Sequence, residues 1–145
     1  MKKTFILIIS IIIIIVAIFY TKYMDYKAKI RDLKEYNLQY EVYLNKKIYG
    51  NEITTLINRA VDNNEKNKVQ KNEKGLYIEN NQNSIKIQVK IIDLEKEKVY
   101  DMESFYNGGM ENFAYLYNEI LFECVKIEYN SVGRVNYMLF VQQTI

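Results

Sequence analysis

FILIISIIIIIVAIFY, residues Phe5 to Tyr20, follows closely on Met1-Lys2-Lys3 and contains no charge, no glycine and no proline. The run is slightly short of the ~20 apolar residues a bilayer core asks for, and longer than the 10–14 of a buried core helix. Adding Thr4 and Thr21 gives about 27 Å at the ~1.5 Å helical rise, a bare membrane span. Lys3 and Lys22 then fall at its two ends, where their stems stay in hydrocarbon and their ammonium groups reach the headgroups. Tyr20 and Tyr23 sit at interfacial depth, and Ser10 can return its hydroxyl to a carbonyl one turn back. β-branched side chains on every face leave no polar stripe, which argues against a soluble core helix.

A cleaved signal peptide would begin in the same way but needs small residues at its cleavage site. Ala17 is the only small side chain near the end of the run, and Ile18-Phe19-Tyr20 follow it. The segment therefore reads as an uncleaved anchor over residues 1–21, with the lipid bilayer as the first expected partner. A short basic leader favours a cytoplasmic N-terminus and an extracytoplasmic C-terminal domain. A plain count of the lysines and arginine from Lys22 to Lys34 favours the reverse. The expectation adopted is N-in, C-out.

Outward from the anchor, Tyr23, Tyr26, Ile30, Leu33, Tyr40 and Leu44 recur at helical spacing, skipping only Asn37. That pattern predicts that the membrane helix continues as an amphipathic stalk over residues 22–48. Its stripe would pack either on the protein's own domain or on other subunits. Gly50 is expected to end this helix and Asn51 to cap the next. Ile53, Leu56, Ile57, Ala60 and Val61 mark that second helix, which fades into the polar run Asp62–Asn67.

Residues 49–145 suit one small domain. Leu76-Tyr77-Ile78 and the alternating Ile85, Ile87, Val89 and Ile91 predict a first hairpin, with Asp93–Lys98 a charged loop and Val99-Tyr100 a short extended piece. Asn107-Gly108-Gly109 reads as a turn leading into a helix marked by Met110, Phe113, Ala114, Tyr117 and Ile120. Two closing strands, about Phe122–Tyr129 and Arg134–Gln142, form a second hairpin across Asn130-Ser131-Val132-Gly133. The fold class expected is α+β: an N-terminal transmembrane helix continuing into a stalk, then two helices and a mainly antiparallel sheet.

Composition removes whole classes of chemistry. There is no histidine, so Ser-His-Asp and Cys-His nucleophile activation and His-ligated zinc are absent. Two of the 20 basic residues precede the anchor, which leaves 18 against 18 acidic ones. A formally neutral domain lacks the basic face a nucleic-acid binder needs, so no nucleic-acid partner is expected. The lone Cys124 can form no internal disulfide, and its setting reads as a buried strand thiol. Asp62-Asn63-Asn64-Glu65 lacks calcium-loop spacing, and Asn107-Gly108-Gly109 matches no phosphate-cradling motif. Carboxylates are the only plausible acid–base groups, namely Asp101 with Glu103 and Glu119 with Glu123; acid–base work needs two of them converging in an apolar cleft. No catalytic, cofactor-binding or metal-ligating residue is nominated, no cofactor is expected, and the chain is read as no enzyme. The 14 tyrosines, with large apolar rings and polar tips, suit protein interfaces.

YEVYLNKKIYGNEITTLINRAVDNN, residues Tyr40 to Asn64, is similar to a recurrent pattern in small single-pass membrane proteins of AT-rich Gram-positive bacteria. Tyr43, Gly50, Leu56, Ile57, Asn58 and Asn63-Asn64 carry the resemblance, which implies membership and no particular activity. The layout also resembles type IV pilin-like proteins: an apolar N-terminal helix, an amphipathic extension, then an antiparallel sheet. A glycine before Phe5 and a glutamate early in the run are both missing, so that likeness is one of architecture. The function expected is an envelope interaction or assembly subunit that associates with a protein partner or with itself through the stalk. A tethered ligand- or peptide-binding module is the alternative.

Overall fold

A computed structural model describes residues 2–93 and 96–143 of the chain. The chain has the expected α+β architecture, a long N-terminal helix followed by further helices and a five-stranded sheet. It divides into two compact units, Met1–Glu35 and Tyr36–Ile145.

The first unit is most of helix α1, Lys2–Glu41. It is long and apolar enough to cross a membrane. Every large apolar side chain from Phe5 to Phe19 is at least 40 % exposed, so the helix offers hydrocarbon on all sides. Its hydroxyls are turned inward: Ser10 Oγ donates to the Ile6 carbonyl at 2.9 Å and Thr21 Oγ1 to that of Ile18 at 2.9 Å. Beyond Lys22 the polar face is laced by Arg31 with Asp32 and Glu35. Tyr23, Tyr26 and Ile30 stay exposed.

The second unit opens with the last turns of α1, where Tyr36 is half-buried and Tyr40 buried in the core. Gly50 does not end this helix. The chain turns at Asn45, a non-glycine residue at φ 58°, a conformation that asparagine's short amide tolerates. The Asn45 N–H then donates to the Cys124 carbonyl at 2.8 Å and leads into strand β1, Lys47–Tyr49. Nor does Asn51 cap the next helix. Helix α2 runs Gly50–Lys66 with Tyr49 as its N-cap, and the Glu52 carboxylate accepts the Tyr49 N–H at 3.1 Å. Gly50 serves a different need, because a Cβ there would collide with the Tyr117 carbonyl oxygen.

The first expected hairpin is not formed. Leu76–Ile78 folds back on Gln70–Asn72 instead, through a bridge between Lys71 and Tyr77. Beyond it Asn80 Oδ1 accepts the N–H groups of Gln82, Asn83 and Ser84, which closes a tight turn, and the Asn64 amide takes both backbone groups of Ile85. Strand β2, Lys86–Asp93, pairs instead with strand β3, Lys96–Asp101, so most of the stretch expected as a charged loop is strand; residues 94 and 95 lie outside the described residues. Two short helices follow, α3 (Met102–Gly108) and α4 (Met110–Tyr117), separated by Gly109 at φ 92°. The closing hairpin forms as expected from strands β4 (Leu121–Tyr129) and β5 (Val135–Gln142).

The sheet order is β1-β4-β5-β2-β3, antiparallel throughout except where β2 runs parallel to β5. One core cluster fills the space between sheet and helices. Ile53, Leu56, Ile57, Ala60 and Val61 of α2 meet Ile87 and Val89 of β2, Phe122 of β4 and Phe140 of β5. Phe113 packs with Phe105 at 4.5 Å and Tyr117 at 4.9 Å between ring centroids. Such pairs add ~0.5–1.5 kcal/mol each beyond their buried area.

Candidate functional site

The carboxylates singled out in the sequence are brought to separate places. Asp101 Oδ1 accepts from Gln88 Nε2 at 2.8 Å and pairs with Lys86 Nζ at 3.0 Å. Burial alone would raise its pKa; the hydrogen bonds from Gln88 and Lys86 and the Lys86 charge outweigh that and lower it. Glu103 points into the interior instead, where Oε1 accepts the Tyr77 N–H at 2.8 Å and Oε2 is buried without a hydrogen-bond partner. Its work is to hold the loop before β2. Glu119 is exposed in the turn after α4, whereas Glu123 lies on β4 opposite Lys47. Among the described residues, neither pair shares a hydrogen-bonding partner.

Cys124 is fully buried on β4, and burial pushes its thiol up to about 11, away from the thiolate that chemistry requires. Asn107 and Gly108 are the last residues of α3 and not a turn, and only Gly109, the N-cap of α4, has the helix-start role read from the sequence. Among the described residues, no group of three or more acidic or cysteine side chains gathers as a metal would need.

Two features were not visible in the sequence. One is a junction that fastens the end of α1 to β5. Asn37 Nδ2 donates to the Gly133 carbonyl at 2.8 Å, and its Oδ1 accepts the Val135 N–H at 2.9 Å, so a side-chain amide completes the strand edge. Beside it the Arg134 guanidinium lies 3.2 Å above the Tyr36 ring centroid, and Nη2 donates to Asn63 Oδ1 at 3.0 Å. Tyr36 donates its hydroxyl to the Val135 carbonyl at 3.2 Å; burial raises its pKa and keeps it a donor. Asn37 was the one gap in the stalk's apolar stripe, and that gap was the available signal.

The other is the face of the sheet turned away from the helices. The register places Tyr137, Leu139 and Val141 of β5 in its middle, beside Gln88 and Lys90 of β2 and Val99 of β3. All three β5 side chains are half-buried yet none belongs to the core cluster. Val99 is 49 % exposed. Three ion pairs lie on this face: Lys86 with Asp101, Lys90 with Glu97 and Lys126 with Glu128. Tyr137 donates its hydroxyl to Gln88 Oε1 at 2.7 Å. Val125 is the extra residue of a bulge between Cys124 and Lys126, which shifts the register of β4 and leaves Val125 exposed. The arrangement is an apolar strip inside a rim of paired charges.

No protein-family model, no curated protein and no solved structure matches the chain.

Proposed function

We propose that the protein is a membrane-anchored, non-catalytic interaction subunit of the bacterial cell envelope, pilin-like in layout, with its N-terminus in the cytoplasm and its domain outside. The observation that carries this reading is the sheet face left without a helix layer. Its apolar centre and polar rim have the anatomy of a protein interface. Its central lysines, Lys86 and Lys90, are already ion-paired, so a partner gains by covering Leu139, Val141 and Val99. The separate tethering of Asp101 and Glu103 supports a non-catalytic role, since acid–base work needs converging carboxylates. The apolar exterior of α1 supports the anchor.

The test is photo-crosslinking in producing cells, with a photoreactive amino acid placed at Leu139 or at Val99 and, as control, at Lys74 in the loop before Leu76. Discrete adducts from Leu139 and Val99 but not from Lys74 are expected. Adducts from no open-face position would sink the interaction reading.

A further inference from the structure

Three basic side chains line one pocket of about 410 Å³ at the end of α1, and among the described residues none is ion-paired. Arg59 and Lys66 come from α2, and Arg134 from the residue before β5. Arg59 and Lys66 are two turns apart, with Asn63 between them, so one helix face presents all three. Among the described residues, no carboxylate comes within 4.0 Å of any of these cations. Asp62 also lines the pocket, one carboxylate against three cations.

The two guanidinium groups are held by neutral partners. Arg134 is clamped between the Tyr36 ring and the Asn63 amide, while its Nε is buried with no hydrogen-bond acceptor. Arg59 makes one long contact, Nη1 to the Gln39 carbonyl at 3.5 Å. Both guanidinium groups line the same pocket as the Tyr40 side chain. Gathering like charges around a pocket costs free energy unless an anion joins them. A guanidinium fixed by stacking has already lost the side-chain freedom that binding would otherwise take away.

We propose that this pocket is a binding site for a small molecule with an oxyanion head, a carboxylate or a phosphate, held by Arg134, Arg59 and Lys66 over the edge of Tyr36. Its volume lies at the small end of ligand pockets. The site is independent of the open sheet face.

The experiment uses the full chain in a non-ionic detergent, with thermal melts and calorimetric titration against inorganic phosphate and against citrate, at an ionic strength matched with chloride. Saturable stabilisation by one of the two above the chloride level is expected; phosphate alone marks a phosphate site and citrate alone a carboxylate site. Arg59→Gln and Arg134→Gln should each weaken binding at least tenfold, and Lys74→Gln should leave it unchanged. Arg59→Gln keeps the test valid if loss of the Tyr36 stack unfolds the Arg134 variant. Neither anion exceeding chloride, or undiminished binding in Arg59→Gln, overturns the proposal.

Discussion

Asp101 shows how a single residue's setting decides its role. In sequence it stands two positions from Glu103 and looks like half of an acid–base pair. In the fold, strand β3 ends on it and places its carboxylate against Lys86 and Gln88 across the sheet. Its pKa is lowered on folding, so the stability it contributes is fully present above the unfolded value of ~3.9 and is lost as pH falls through the folded value. The side chain is partly exposed, which keeps the contribution within the ~0–1 kcal/mol of screened ion pairs. Thermal melts of wild type and Asp101→Asn should therefore differ at pH 7 and converge as pH falls below about 4. A difference of the same size at every pH would mean that the ion pair is not its source. Gly50 teaches the same lesson from the backbone. Its absent side chain looks like a helix stop, yet it is required by a carbonyl from Tyr117, far along the chain.

At the scale of elements, asparagine amides act as connectors between helix and strand. Asn64 of α2 is completely buried, accepts the Ile85 N–H at 2.9 Å and donates to the Ile85 carbonyl at 2.8 Å. It thus gives the residue before β2 the partner a neighbouring strand would give. Asn37 does the same for β5 from the end of α1. Asn64→Ala leaves two buried backbone groups unsatisfied at ~1–3 kcal/mol each, so a loss of at least about 2 kcal/mol is expected in denaturant unfolding of the detergent-solubilised chain. A loss well under about 1 kcal/mol would show that water satisfies Ile85 just as well. The elements themselves were legible wherever periodicity is local. Ile53 to Val61 spells a helix and Ile85 to Ile91 a strand, and both are found there. Leu76–Ile78 pairs with Gln70–Asn72, a polar stretch with no alternating apolar pattern to announce it.

For the whole molecule, one helix presents hydrocarbon on every side, and a separate unit carries a sheet that, among the described residues, is covered on one face. The proposed N-in, C-out orientation is tested by a topology reporter fused after residue 145. Activity of an extracytoplasmic reporter is expected; activity of a cytoplasmic one alone reverses the assignment and moves the open face inside the cell. The apolar stripe beyond the anchor, read as packing either on its own domain or on other subunits, divides between two fates. Tyr40 enters the domain core, while Tyr23, Tyr26, Ile30 and Leu44 stay exposed.

By itself the sequence determined the apolar helix, the amphipathic α2, the closing hairpin and the exclusion of histidine chemistry. Each of these depends on residue type and on spacing within a few turns. Tertiary structure alone decided that β2 lies parallel to β5, that Arg134 stacks on Tyr36, and which sheet face stays bare. Those outcomes join residues some fifty to a hundred positions apart, through shape and charge that no local period encodes.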